Sequence, residues 1–149
     1  MGEFSSVEEI LRFAIVREQE AYQIYKEFAE LTRNPGMRNL FEEFALDEQE
    51  HKALLELELT KRGMVVKDID IGDYTVEGEL RAGMNYKDAL LIAMDKEKAS
   101  FRLYFDLARR AKDPEQQEAF MSLAEQEARH KVMFEIEYET LQAREKQDK

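Results

Sequence analysis

Apolar residues recur at steps of three and four along four long stretches of this chain, separated by short breaks and one long one. Residues 5 to about 33 carry Ala14, Ala21, Tyr25 and Phe28 on one stripe, the spacing that gathers side chains on one face of an α-helix. Ser5 or Ser6 can cap this helix, with Glu8 and Glu9 in its first turn, and Asn34-Pro35-Gly36 stops it and turns the chain. The pattern predicts a second helix from about 37 to 62 closed by Gly63, a third from near Tyr86 to about 112, and a fourth from Asp113-Pro114 to about 143. Between residues 64 and 86 the period is lost, in a segment with three glycines and an extended patch, MVVKDIDI. One helical turn in EGELRAG is the only regular structure expected there. Each helix would be roughly 40 Å long, and the crossover can stretch to about 75 Å, enough to run the length of a bundle. Short link, long link, short link predicts an all-α four-helix bundle of two antiparallel hairpins joined by a crossover, one domain over residues 1–149.

The stripes are interrupted where a core should continue. The second helix reads Phe41, Phe44, Glu48, His51, Leu55, and the fourth reads Phe120, Leu123, Glu127, His130, Phe134. On the third, Ala93, Glu97, Ser100, Tyr104 and Leu107 share a face, and Glu18 stands at the matching place on the first. A shift of 79 positions lays Glu18 on Glu97, Glu48 on Glu127 and His51 on His130. The same shift superposes Ala14 on Ala93, Tyr25 on Tyr104, Ala29 on Ala108, Phe41 on Phe120 and the only two prolines, Pro35 on Pro114. In an antiparallel hairpin about each proline, the lone Glu and the Glu-x-x-His meet at similar height, so six candidate ligands converge at the middle of the bundle.

Four buried carboxylates must protonate, pair or bind metal, and no Lys or Arg falls on the inner stripes at that level. Oxygen ligands with two imidazoles suit iron or manganese, and zinc is also possible. Two bridging and two terminal carboxylates with two His would hold two metals, the di-iron carboxylate layout of helical bundles. Asp47 and Gln126, each just before a motif Glu, are expected to accept hydrogen bonds from the histidine Nδ1 atoms across the bundle.

Composition narrows the remaining classes. There is no cysteine, so disulfides, thiolate zinc sites, iron–sulfur clusters and thiol chemistry are excluded from these residues. A formal net charge of −11 argues against nucleic acid or an anionic membrane as partner. No run is long enough for a membrane span, and the acidic start MGEFSSVEEI lacks a signal core, so a cytoplasmic location is the expectation. The apolar crossover residues Val65, Val66, Ile69 and Ile71 either cover a bundle face or swap into a neighbour. The swap makes a dimer, and a homodimer is the expected assembly.

Through REQEAYQIY, DEQEH, DKEKASFRLY and EQEARH, across all four helices, the chain resembles ferritin-like di-iron proteins, most of all the rubrerythrin branch. The resemblance implies that Glu18, Glu48, His51, Glu97, Glu127 and His130 are the metal ligands. Tyr25 and Tyr104 would match a tyrosine that stands just behind a ligand in those proteins. Two departures stand out. Ser100 occupies the place of an additional third-helix Glu of rubrerythrins, and the cysteine-ligated rubredoxin domain has no counterpart here. The implied function is a di-iron oxidoreductase that reduces hydrogen peroxide or dioxygen, fed by an external electron donor such as a rubredoxin-type protein. The alternatives are a ferroxidase or iron-handling protein of ferritin type, and a plain helical interaction module without metal.

Overall fold

Four helices account for most of the chain: α1 (Val7–Leu31), α2 (Pro35–Thr60), α3 (Tyr86–Arg110) and α4 (Pro114–Gln147). The computed structural model describes residues 4–61, 64, 66–79 and 84–147. The 79-residue shift maps the start of α1 onto that of α3, its end onto the end of α3, and the start of α2 onto that of α4. Local chemistry explains these boundaries. Ser6 caps α1 in a reciprocal capping box with Glu9. Asn34 accepts from the Gly36 and Met37 amides, with Pro35 at the first helical position, where its missing N–H is no loss. That moves the start of α2 two residues ahead of the sequence expectation. Asn85 caps α3 in the same way. The fourth helix runs to Gln147, beyond the expected end near 143, because AREKQDK contains no helix breaker.

The hairpins α1–α2 and α3–α4 pack tightly within themselves and more sparsely against each other. Two apolar cores fill the bundle. One gathers Leu11, Leu55, Leu107 and Phe120, and the other gathers Tyr25, Phe28, Phe41, Phe44 and Phe134.

Gly63 and Val65 lie outside the described residues, as do residues 80–83 of EGELRAG, whose residues 77–79 are not helical. The regular piece of the crossover is instead a 3-10 turn, Ile71–Tyr74, capped by Asp70. The described part of the crossover packs on the bundle of this chain. Ile69 and Tyr74 are buried in the first core, Ser5 N donates to Ile69 O at 2.7 Å, and the Tyr74 hydroxyl donates to Asp106. No described helix is long and apolar enough to cross a membrane.

Candidate metal centre

Between the two cores lies a polar slab built by all four helices. Glu18, Glu48, His51, Glu97, Glu127 and His130 are each 2% exposed or less. They form two groups, Glu18–Glu48–His51–Glu127 and Glu48–Glu97–Glu127–His130, whose donor atoms lie within 4.8 Å of one another. Glu48 and Glu127 belong to both. His51 Nδ1 is 2.9 Å from Glu127 Oε1 and 3.4 Å from Glu18 Oε2. His130 Nδ1 is 3.0 Å from Glu48 Oε1 and 3.7 Å from Glu97 Oε2. The arrangement is pseudo-symmetric, as the repeat requires.

The outer partners of the histidines are the expected ones on the other ring atom. His51 Nε2 pairs with Gln126 Oε1 at 2.8 Å, and His130 Nε2 with Asp47 Oδ2 at 3.0 Å. The expectation of Nδ1 is corrected for a geometric reason. Nδ1 lies beside Cγ, close to the parent helix, and meets the carboxylates at the axis, while Nε2 reaches past them to the opposite helix. The two tyrosines also differ. The Tyr104 hydroxyl donates to Glu18 Oε1. Tyr25 stands edge-on to the His130 ring, 6.0 Å between centroids, and Phe44 stacks on that imidazole at 4.1 Å.

Burial, and next the Glu127 carboxylate, push Glu18 up to about 7. Burial and Glu97 push Glu127 up to about 8. Burial alone would lower the imidazoles. The neighbouring carboxylates of Glu127 and Glu18 outweigh it at His51, and those of Asp47 and Glu97 do so at His130, so both rise to about 10. Among the described residues no Lys or Arg ion-pairs with the four carboxylates, so protons balance the charge. Even so, Glu18 Oε2, Glu48 Oε1, Glu97 Oε2 and His130 Nδ1 are buried without a hydrogen-bond partner among the described residues. Orphaned acceptors of this kind are costly unless a cation takes them up. Carboxylate and imidazole donors converging in two linked groups fit two divalent ions, which would displace the protons.

A narrow opening between α1 and α3 reaches Glu48, Glu97 and Glu127, and Arg17, Lys96 and Ser100 help to line it. Sequence reasoning passed over Arg17 because it lies beside the ligand stripe rather than on it. It also missed two further buried carboxylates, Glu58 and Glu137. Glu137 accepts from Thr32 Oγ1 and the Tyr86 hydroxyl, while Glu58 accepts from Lys61 Nζ and Gln116 Nε2. Glu137 thus ties α4 to the end of α1 and the start of α3, and Glu58 ties the end of α2 to the start of α4, both outside the two candidate ligand groups. The signal was present: both obey the 79-residue shift and stand seven positions after a histidine, on the same helical face.

Comparison with known proteins agrees with this architecture. The family model for Rubrerythrin matches residues 9–138. Among solved structures, a hypothetical protein from Pyrococcus furiosus is similar at a TM-score of 0.73 and 25% identity, covering 93% of this chain and 91% of the other. A Thermotoga maritima protein described as ferritin-like and diiron-carboxylate shares the fold at a TM-score of 0.69 and 23% identity, covering 90% of this chain and 95% of that one. No curated protein matches significantly. With the match spanning all four helices and both Glu-x-x-His pairs, the chain belongs to the rubrerythrin family.

Proposed function

We propose that the protein is a non-haem di-iron oxidoreductase that reduces hydrogen peroxide or dioxygen with electrons from a donor outside these 149 residues. The observation that carries this reading is the pair of buried ligand groups joined through Glu48 and Glu127. Glu18 and His51 would hold one iron, Glu97 and His130 the other, and Glu48 and Glu127 would serve both. Manganese or zinc would suit the same donors. When bound, such a pair of iron ions supplies one electron each to an O–O bond.

The rest of the chemistry belongs to the chain. Gln126 Oε1 accepts from His51 Nε2–H, which settles the tautomer and leaves Nδ1 free to donate its electron pair. Asp47 does the same for His130. Tyr104 orients Glu18 through its hydroxyl, and burial, then the Glu18 charge, keep that hydroxyl protonated. Tyr25 lines the opening and stands edge-on to the His130 ring. The apolar cores on either side exclude bulk water, leaving the α1–α3 opening as a route for a small oxidant. A rubredoxin-type protein is the class of donor the family suggests, since these residues contain no cysteine.

Anaerobic loading with ferrous iron, then addition of peroxide or air while near-ultraviolet absorption is followed, tests the reading. The expected result is uptake of two irons per chain and faster oxidation by peroxide than by air. Uptake well beyond two irons with faster oxidation by air would favour iron handling of ferritin type. Failure to take up iron, manganese or zinc would leave only a helical interaction module. Sizing chromatography on the same sample tests the proposed homodimer.

A further inference from the structure

The guanidinium of Arg17 is held firmly and left partly unsatisfied. Its Nη1 donates to the Tyr74 carbonyl at 2.8 Å, and its Cζ sits 5.1 Å from the Phe13 ring centroid. Its Nη2 is buried and has no hydrogen-bond partner among the described residues. A charged donor fixed on two sides, with an orphaned amine on a third, is preorganised for an acceptor that arrives from elsewhere. Arg17 lines the opening between α1 and α3, together with Ser100 on the α3 wall and the carboxylates of the centre. Lys96, the residue that the 79-position shift places on Arg17, is engaged with Glu20 at 3.7 Å.

We propose that Arg17 and Ser100 make this opening a receiving site for a small oxygen-bearing molecule, hydrogen peroxide or its anion, and that organic hydroperoxides are excluded. The inference deepens the function proposed above and rests on it. Size supports the exclusion: the cavity is about 10 Å³, roughly the room of one water, so a molecule of two or three atoms enters with a small shift of the walls and a bulky hydroperoxide does not. Charge supports it too. Four carboxylates cancel two divalent ions, and the two other charges that line the opening, Lys96 and Glu20, pair with each other at 3.7 Å, which leaves the Arg17 cation to set the sign of the potential there. A second, wider groove of about 360 Å³ between α2 and α4 reaches His51, but Glu50, Glu115 and Glu118 line it and would repel an anion. The crossover therefore contributes to the site from a distance, because its Tyr74 carbonyl aims the arginine.

Azide, a small linear anion, is the probe. The iron-loaded protein is titrated with it and binding is followed by absorption in wild type, R17Q, R17K and S100A, with iron content and melting temperature measured for each. R12Q, an exposed arginine on the same helix, controls for net charge. The expected result is azide affinity reduced about tenfold or more in R17Q, as for loss of a charge-assisted hydrogen bond. R17K should lie between, since an ammonium lacks the planar fork, and S100A should weaken binding to a smaller degree. R12Q should bind as wild type does, and tert-butyl hydroperoxide should oxidise the iron-loaded protein far more slowly than hydrogen peroxide does. Azide affinity in R17Q within about twofold of wild type at full iron content would overturn the proposal, as would an equal loss in R12Q. If R17Q does not hold iron, wild-type affinity in both R17K and S100A overturns it instead. A wild type that loads iron and reduces peroxide while R17Q binds azide normally would sink the receiving site alone. A wild type that takes up no metal would sink the di-iron reading as well.

Discussion

Each of the six residues at the centre would be a poor core residue by itself, and each is tolerable only because the others are there. The carboxylates share protons with the imidazoles, and every remaining lone pair is a place for a cation. Tyr104 shows how finely one position matters. Changing it to Phe removes the donor to Glu18 Oε1 and leaves a buried carboxylate oxygen bare. The metal-free protein is expected to lose about 1–3 kcal/mol in urea denaturation, and the metal-loaded protein less, because the ion takes over part of that charge. Tyr25→Phe removes no described hydrogen bond and should cost less, although the two positions are equivalent by the repeat. Helical periodicity made the ligands legible, since a Glu or His on a core stripe is visible from spacing alone. It could not say which imidazole nitrogen faces inward or which tyrosine reaches a carboxylate, because both depend on rotamers set by packing.

At the scale of elements, helix boundaries follow from a handful of polar side chains, and helix stability follows from what the inner faces bury. Asn34 satisfies the Gly36 and Met37 amides at the α1–α2 turn. Its replacement by Ala should cost about 1 kcal/mol. Phe134 is fully buried among Tyr25, Phe28, Phe41 and Phe44, so Phe134→Ala should cost about 3–5 kcal/mol through lost transfer energy and a cavity. Chemical denaturation of both variants, metal-free, checks the order. Equal losses would mean that the aromatic core collapses around the gap. Both helix pairs could be read from the chain, since Asn-Pro and Asp-Pro punctuate them in register. The crossover could not be read in the same way. Its 3-10 turn at Ile71–Tyr74 has no period of its own and is held by contacts to Ser5, Arg17 and Asp106 from other elements.

For the whole molecule, the buried cluster ties stability to pH. Glu18 and Glu127 stand at about 7 and 8 in the folded chain against an ordinary value of 4.5. His51 and His130 stand at about 10 against 6.5. All four folded values lie above the unfolded ones, so the folded state holds these protons more tightly. That contribution is complete below the unfolded values and is lost as pH rises through the folded ones. Metal-free protein is therefore expected to melt at steadily lower temperature from about pH 5 to about pH 9. Metal must displace the same protons, so binding tightens with pH and the extra stability of the loaded form should grow over that range. Repulsion within a chain of net charge −11 pushes the metal-free form the same way, but salt screens it, so the scans belong at high ionic strength. A metal-free melting temperature that rises between these limits would show that the centre does not share its protons as described.

The amino-acid order by itself determined the four helices, their pairing into two hairpins and the six inward-facing candidate ligands. Those features rest on local periodicity, on turn chemistry and on a repeat that superposes one half on the other. Only the tertiary structure decided which atoms meet: Nδ1 toward the carboxylates, Tyr104 on Glu18, the crossover on its own bundle and Arg17 in the opening. Such contacts join positions far apart in the chain, and no local pattern encodes the rotamers that make them.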